Sequence, residues 1–286
     1  MAKRSKQEKQ QPNFILFLVE GESDILALET SLSELIYNKY PDYEVRFLLQ
    51  HKYLSPCGEE FDCDDEEDND ANNSISDNEF VTGGDITTSS YVTPQNIEQK
   101  ITSRFIMPAV KKEGIYPKKI AKIIQIIDLD AAYIPDERIT PFSAEHKEAN
   151  KLFYNTAERI VETDNVEGII ERNKRKRSNI DYLFSLSSRG IKIKSKTIPY
   201  EAYFFSSNLD HFINNDANVQ YGKRRLARDF LEKYGLYTNA FCNYFINDMN
   251  AVGSIGYTES WDWIRSGLNS ISRSTNIDCL IRRLTE

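Results

Sequence analysis

The sequence predicts an α/β fold built on a mostly parallel sheet flanked by helices. The first observation is the continuous apolar run Phe14–Val19, which is long enough for one strand and too short for a core helix. The second is the helical spacing of the apolar residues that follow, from Ile25 to Ile36. The third is another apolar run, at 120–127. Strands that are apolar on both faces belong inside a sheet covered by helices.

The other elements follow from periodicity and from breaker residues. Apolar side chains stand at every second position from Tyr43 to Leu49, with Glu44 and Arg46 between the first of them, which predicts a half-exposed strand. Thr93 and Pro94 begin a helix, and Pro108 is expected to kink or end it. Because short crossovers are right-handed, this β-α-β-α-β order folds into a parallel sheet of four strands once the last strand is added. The remaining predictions are a loop at 131–142, helices at 149–161 and 166–186, and a fourth strand at 197–205 that has Pro199 at its start or on an edge.

Composition divides the chain into three segments. Residues 1–13 are rich in Lys, Arg and Gln and predict a flexible basic tail, 14–215 the α/β domain, and 216–286 a helical C-terminal region. Within the domain, nine of the twelve residues from Glu59 to Asp70 are acidic. Such a segment buries too little apolar surface to offset its ordering entropy, so 56–92 is predicted to be a mobile acidic insertion. The insertion is expected to be a solvated surface loop, a nucleic-acid mimic or an autoinhibitory flap over a basic groove.

Charge and composition restrict the class of protein. The net charge of −8 excludes a uniformly basic nucleic-acid coat but leaves room for a local basic patch. The four Cys lack regular spacing, which favours a reducing interior over a disulfide scaffold. No apolar run approaches the ~20 residues of a membrane span, and no apolar signal segment follows the basic start. We therefore expect a cytoplasmic protein that does not enter a membrane.

Acidic side chains follow two of the predicted strands at the point where each strand ends. Glu20 comes directly after the first apolar run, and Asp128 and Asp130 come directly after the run at 120–127. In parallel strands these positions meet at one edge of the sheet, and strand alternation would put residues 128 and 130 on the same side. Three neighbouring carboxylates need a cation to stay ionised, and Mg²⁺ or Mn²⁺ prefers such oxygen ligands.

Other acidic residues near these strand ends have competing explanations. Asp24 could join the metal site, or it could simply favour the helix macrodipole from the first turn. Glu22 is expected to face solvent. Asp210 follows the fourth strand and could join the site or cap a helix. A zinc site at His51, Cys57 and Cys63 is disfavoured, because a fourth ligand is missing and the spacing fits no usual pattern.

A cluster of cations in the second half of the chain predicts a surface that contacts phosphates. The alternative is an ordinary solvated helix face. Nucleic-acid contacts would neutralise phosphate charges with such side chains. The residues predicted to bind nucleic acid are Arg172, Lys174, Arg175, Lys176, Arg177, Lys194 and Lys196.

The two acidic motifs resemble those of a known domain family. Val19-Glu20-Gly21-x-x-Asp24 after one strand, followed by Asp128-Leu129-Asp130 after a later strand, resembles the TOPRIM domain of topoisomerases, primases and the OLD-type and RNase M5-type nucleases. The resemblance covers roughly 14–50 and 95–210, and the spacing from Glu20 to Asp24 is most similar to the nuclease branch. It implies a TOPRIM-like four-stranded sheet with a metal at Glu20 and Asp24 and a second metal held or shared by Asp128 and Asp130.

The resemblance implies a metal-dependent endonuclease acting on DNA or RNA, in which Glu20, Asp128 and Asp130 are catalytic. Cleavage is expected over other activities of the family, because the chain leaves no room for a primase's zinc module or for strand-passage domains. Standalone TOPRIM-like chains of this size resemble nucleases of phage-defence or abortive-infection systems, so the resemblance also implies a role in antiviral defence. No P-loop is visible, so an ATPase or sensor protein would be a separate partner, and a homo-oligomer is a further possibility. Two rivals stay open: a receiver-like Mg²⁺-binding phosphoacceptor domain and a non-catalytic TOPRIM-derived nucleic-acid-binding module.

Overall fold

The computed structural model describes residues 12–50, 85–147 and 152–286. These ranges contain a four-stranded parallel sheet, two smaller sheets and a set of helices. The strands are β1 (Asn13–Val19), β2 (Tyr43–Leu49), β3 (Ile120–Asp128), β4 (Ile139–Pro141), β5 (Leu152–Asn155), β6 (Ile160–Thr163), β7 (Ile191–Ile193), β8 (Lys196–Ile198) and β9 (Tyr200–Phe205). The α-helices are α1 (Glu22–Lys39), α2 (Ile97–Ile101), α3 (Met107–Lys112), α4 (Val166–Ser185), α5 (Leu209–Asn214), α6 (Lys223–Phe230), α7 (Thr238–Asn247), α8 (Tyr257–Ile264) and α9 (Ile277–Thr285).

The main sheet confirms the predicted four-stranded parallel arrangement. Its strand order is β2-β1-β3-β9, and every neighbouring pair is parallel. The two central strands are the two apolar runs, as expected for strands that are covered on both faces. From β1 the chain goes to β2 on one side and then returns to β3 on the other side of β1. The sheet therefore has a topological switch point between the carboxyl ends of β1 and β3, the place where such sheets bind ligands.

Helices cover both faces of the sheet. On one face α2, α3, α4 and α8 pack against Leu16 and Leu18 of β1. On the other face α1, α5, α6, α7 and α9 pack against Phe17 and Val19. The helices of 216–286 contribute to both layers, so this region shares its apolar cores with the sheet. Among the helices described, none is both long and apolar enough to cross a bilayer.

Pro108 does not end its helix. α2 runs into a π-helical turn at Thr102–Ile106 and continues as α3, with Pro108 in the first turn of α3. A proline lacks the N–H that a helix interior would use, and a wider turn directly before it is a common way to accommodate this. The helix therefore changes type directly before Pro108 and does not end there.

The predicted helix at 149–161 is wrong. Residues 148–151 lie outside the described residues, and the rest of this stretch forms β5 and β6, an antiparallel hairpin that joins β4 in a three-stranded sheet. The loop expected at 131–142 accordingly contains the short strand β4. The apolar residues here form two short runs, Leu152–Tyr154 and Ile160–Val161, and short runs fit a helix and a strand equally well by spacing.

Glu162 fastens this small sheet to the chain before it. Its side chain is 1% exposed and accepts hydrogen bonds from the backbone N–H of Ser143 at 2.6 Å and from Asn155 Nδ2 at 2.9 Å, and it contacts His146 Nδ1 at 3.0 Å. Burial alone would raise the pKa of Glu162, but the hydrogen bonds from Asn155, Ser143 and His146 outweigh it and lower that pKa to about 2.

Glu162→Gln should therefore destabilise the protein by about 1–3 kcal/mol at neutral pH, the value of hydrogen bonds to a charged group. Since the folded-state pKa is depressed, this stabilisation is present above the unfolded value of about 4.3 and is lost as pH falls toward about 2. Urea unfolding of wild type and variant should show a gap that narrows over that window. Glu158→Gln, an exposed position in the same hairpin, is the control. A gap that stays constant with pH would contradict the assignment.

Two other boundaries differ from the prediction. The stretch 197–205 is divided at Pro199: β8 pairs with β7 in a hairpin, and β9 begins after the proline as an edge strand of the main sheet. Residues 51–84, which include most of the acidic insertion predicted at 56–92, lie outside the described residues, and so do residues 1–11 of the predicted basic tail. The end of the insertion is packed, however, since Ile86, Thr87 and Val92 are buried. The prediction of a mobile segment through residue 92 thus extended too far.

Candidate functional site

The predicted carboxylates lie at the switch point of the sheet. Glu20 follows β1 directly, and Asp128 is the last residue of β3. The two strand ends are in contact, because Glu20 Oε1 accepts a hydrogen bond from the backbone N–H of Asp128 at 3.2 Å. Because β1 and β3 are neighbouring parallel strands, as the sequence predicted, both carry their carboxylates to the same end of the sheet.

Asp24 is attached to the same edge through the turn into α1. Its side chain is buried, and its Oδ2 accepts a hydrogen bond from the Gly21 N–H at 2.8 Å. In this bond Asp24, in the first turn of α1, caps the N–H of the residue before the helix, a role that adds to the macrodipole effect expected from the sequence. Burial, reinforced by the negative charge of Asp210, nevertheless raises the pKa of Asp24 to about 6. Asp24 therefore caps the helix and also faces other carboxylates.

Asp130 reaches the cluster by a different route from the one predicted. β3 ends at Asp128, and both Asp130 (φ 48°) and Ala131 (φ 55°) adopt the left-handed conformation, so strand alternation does not set their direction. The carboxylate of Asp130 contacts Lys176 Nζ at 2.6 Å and accepts a hydrogen bond from Tyr154 Oη at 3.3 Å. The expectation of a shared strand face was wrong, although Asp128 and Asp130 still interact electrostatically.

Lys176 forms a buried bridge that the sequence did not reveal. Its side chain is fully buried, and its ammonium lies 2.6 Å from both Asp130 Oδ2 and Asp85 Oδ2. Arg172 adds a hydrogen bond from Nη2 to the carbonyl oxygen of Asp130 at 3.2 Å. Burial would raise the pKa of Asp130, but the charges of Lys176 and Arg172 outweigh it and lower that pKa. Asp130 is therefore held as a carboxylate.

Asp210 completes the cluster from the end of β9. The predicted capping role belongs to its neighbour Asn208, whose Oδ1 accepts a hydrogen bond from the N–H of His211 at 2.8 Å. Asp210 is 4% exposed, and its Oδ2 lies 3.3 Å from Lys223 Nζ. Its Oδ1 has no hydrogen-bond partner among the described residues. We call Glu20, Asp24, Asp85, Asp128, Asp130 and Asp210 the carboxylate cluster.

Burial and the charges of neighbouring carboxylates dominate the electrostatics of Glu20 and Asp128. Burial, followed by the charges of Asp85 and Asp128, raises the pKa of Glu20 well above its usual range. Burial, followed by the charges of Asp24 and Asp130, does the same to Asp128. Lys176 opposes both shifts without cancelling them. Carboxylates that repel one another in this way favour either protons or a bound cation.

The predicted basic surface does not form around α4. Lys176 is buried in the carboxylate cluster, and Arg172 is half-buried beside it. Arg175 donates from Nε to the carbonyl oxygen of Thr88 at 3.3 Å. Arg177 contacts the carbonyl oxygen of Ile134 and the carboxylate of Asp136, each at 3.4 Å. Helical periodicity turns these side chains in different directions, and of this group only Lys174 is exposed, where it pairs with Glu171.

The remaining two predicted cations lie near the amino ends of the strands, opposite the end that carries the carboxylate cluster. Lys194 is exposed in the turn between β7 and β8. Lys196 Nζ donates hydrogen bonds to the carbonyl oxygens of Lys118 and Ile120, at the start of β3. The carboxylate cluster lies at the other end of β3, so the seven predicted cations do not form one nucleic-acid surface. The reason is topological, since β7 and β8 come before the amino end of β9.

The residues that sequence reasoning missed are Asp85, Tyr154, the inward-facing Lys176, and Lys223. Asp85 follows the acidic run and two glycines, and only the apolar Ile86 after it hints that the chain re-enters the fold there. Lys176 is one of several cations in α4, and its spacing from the apolar residues Ile180 and Leu183 is the one signal that it lies on the inner face. Lys223 belongs to the Arg-rich segment 223–228 of the region predicted to be helical, and no role at the site was predicted for it.

The donor set of the carboxylate cluster fits a hard divalent cation. All six side chains offer carboxylate oxygens, the ligands that Mg²⁺ and Mn²⁺ prefer, and for Glu20 and Asp128 the charges of neighbouring carboxylates add to burial in raising the pKa. Within residues 12–50, 85–147 and 152–286, no three His, Cys, Asp or Glu side chains already stand at the spacing of a metal site. Comparisons of the chain with protein-family models, with curated proteins and with solved structures find no match.

Proposed function

We propose that this protein is a metal-dependent nuclease that hydrolyses phosphodiester bonds of DNA or RNA. One observation carries the proposal: carboxylates from separate elements gather at the switch point between β1 and β3, where the half-buried Glu20 and Asp128 share a hydrogen bond and interact with the buried Asp24. Motifs resembling those of TOPRIM nucleases supply the residues at this point, Glu20, Asp24, Asp128 and Asp130. That resemblance also supports a setting in antiviral defence or abortive infection, in the cytoplasm, with an ATPase or sensor protein as a separate partner.

Each side chain has a proposed part in the reaction. Glu20, Asp24 and Asp128 would hold Mg²⁺ or Mn²⁺, with Asp130 held in place by Lys176 beside them. A bound divalent cation supplies an activated water and stabilises the leaving oxygen of a phosphodiester. Glu20 is also placed to take a proton from the attacking water, because it follows β1 directly and lies beside Asp128 at the switch point. Because the carboxylates are not yet at metal-site spacing, we expect them to rotate when the cation binds.

Cation binding is the direct test of the site. Mn²⁺ should raise the melting temperature, because a ligand that binds only the folded state stabilises it by about 2.7 kcal/mol at a hundredfold excess over its Kd. Asp128→Asn should abolish this shift, and it leaves the ion pairs of Lys176 intact. The matched control is Asp262→Asn, at a side chain that is 73% exposed.

Calorimetric titration of the same three proteins gives the binding constant. Wild type and Asp262→Asn should bind the ion alike, and Asp128→Asn should bind it weakly or not at all. If wild type binds no divalent cation even with nucleic acid present, the proposed chemistry fails.

The strand order supports one second candidate, the receiver-like phosphoacceptor. The order β2-β1-β3-β9 is the beginning of the doubly wound order found in flavodoxin-like domains, which include that class. In this case Asp128 would accept a phosphoryl group. Incubation with radiolabelled acetyl phosphate and Mg²⁺ should leave no acid-stable label on the protein if it is a nuclease, whereas label on wild type that is lost in Asp128→Asn would favour the phosphoacceptor.

A further inference from the structure

A line of exposed cations borders the carboxylate cluster on α6. Lys223, the first residue of this helix, pairs with Asp210, and its charge opposes the raised pKa of Asp24 and Asp128. Arg224 Nη2 lies 3.2 Å from Glu22 Oε2 at the start of α1. α6 therefore begins at the edge of the sheet where the reaction is proposed to occur.

The outer face of α6 carries three Arg side chains, with one exposed acidic residue, Asp229, near its end. Arg224 is 72% exposed. Arg225 and Arg228, which follow Arg224 by one and four residues, are also exposed. Neither Arg225 nor Arg228 forms an ion pair with a described residue. The opposite face is apolar, with Ala227 and Phe230 buried against the core of α1. The helix is thus anchored from inside and presents Arg side chains outward.

An exposed aromatic ring precedes these cations. Tyr221 is 87% exposed, and Gly222 connects it to α6 with a left-handed backbone (φ 73°). Proteins that bind single-stranded nucleic acids combine exposed aromatic side chains with a row of cations. The bases stack on the aromatic rings, and the phosphates pair with the cations. Surface ion pairs such as Arg224 with Glu22 are weak enough to be exchanged for phosphate contacts.

We infer that Tyr221, Arg224, Arg225 and Arg228 form the surface that guides a single nucleic-acid strand to the carboxylate cluster, with an unpaired base stacked on Tyr221. This inference rests on the proposed function and names its substrate class. It assigns strand binding to α6, in place of the α4 cations and the β7–β8 hairpin that the sequence suggested. Phosphates attracted by this row would be led past Lys223 toward the acidic residues.

The test measures binding of a fluorescein-labelled single-stranded oligonucleotide by anisotropy in EDTA, over a series of salt concentrations. The triple variant Arg224→Gln, Arg225→Gln, Arg228→Gln should bind about tenfold or more weakly. Its salt dependence should be less steep by roughly 2, at about 0.7 for each phosphate that the variant no longer neutralises. The matched control changes Lys118, Lys192 and Lys194 to Gln, three exposed cations near the amino edge of the sheet. This control should bind like wild type.

Tyr221 is tested separately. Tyr221→Ala should weaken single-strand binding about fivefold to a hundredfold, the range for loss of one base–aromatic stack, and Tyr221→Phe should stay within about twofold of wild type. Binding of a blunt duplex should change little in either variant. Equal losses for single strand and duplex would overturn the stacking role.

The outcomes separate this inference from the proposed function. If wild type cleaves with a metal but the triple variant keeps wild-type affinity and salt dependence, the α6 surface is refuted and the nuclease stands. If the triple variant loses binding as expected but wild type never cleaves, the surface stands and the catalytic proposal fails. A control triple that loses as much affinity as the α6 triple would also overturn the inference.

Discussion

Glu20→Gln should reduce cleavage to near background while leaving nucleic-acid affinity within about threefold of wild type, because phosphate contacts dominate affinity. Loss of a general base alone typically costs about 10²–10⁴ in rate, and weaker metal binding would add to this. The substitution keeps the side-chain oxygen that accepts the hydrogen bond from Asp128 N–H, and it removes a charge that repels its neighbours. The fold should therefore survive, and the effect should fall on the transition state.

Two neighbouring variants sharpen this expectation. Asp24→Asn should cause a milder loss, because the Asn side chain can keep the bond from Gly21 N–H. Glu22→Gln, at a half-exposed side chain that pairs only with Arg224 among the described residues, should leave the rate close to that of wild type. Single-turnover rates with excess enzyme separate chemistry from binding. Glu20→Gln cleaving as fast as wild type would mean that the activity belongs to another site or to a contaminant.

Lys176→Met should destabilise the fold by about 3–5 kcal/mol, the usual cost of removing one partner from a buried ion pair. Its ammonium contacts two carboxylates at 2.6 Å, and Met fills similar volume without charge. Asp85 and Asp130 would then lose the ammonium that they share and keep only partial compensation from Arg172, next to Glu20 and Asp128, which already carry raised pKa values. Urea unfolding in EDTA measures the loss.

The control for this variant lies two residues earlier in α4. Lys174→Met removes a cation that is 51% exposed and should change stability by less than about 0.5 kcal/mol. Adding Asp85→Asn to Lys176→Met should recover part of the loss, because one unpaired charge disappears with it; the double-mutant cycle measures this coupling. A Lys176→Met protein as stable as wild type would show that the bridge contributes nothing.

The parallel sheet could be predicted from sequence because burial on both faces leaves a direct trace. Phe14–Val19 and the run at 120–127 are apolar throughout, apart from single polar positions in the second, and each is too short for a helix. The β5–β6 hairpin could not be predicted in the same way. Its short apolar runs match helical spacing by chance, and the buried Glu162 that fixes their arrangement is indistinguishable in sequence from an exposed one.

The candidate site was predictable where topology alone decides it. Glu20 and Asp128 follow directly from two parallel strands that end at one edge. Asp85 and Lys176 depend on a contact between an irregular segment and the inner face of α4, and neither has a local pattern that announces its partner. The cations were misplaced for a related reason: composition counts charges, whereas their direction depends on the rotation of α4 and on the end of the sheet at which the β7–β8 hairpin lies.

The most direct test incubates purified wild type and Asp128→Asn with labelled single-stranded DNA, duplex DNA, rRNA and tRNA in Mg²⁺, Mn²⁺ or EDTA. We predict that wild type cuts at least one of these substrates with a divalent ion, that EDTA stops the reaction, and that Asp128→Asn is inactive while still folded. Cleavage that persists in EDTA, or that is equal in Asp128→Asn, would contradict a metal-dependent nuclease centred on the ends of β1 and β3.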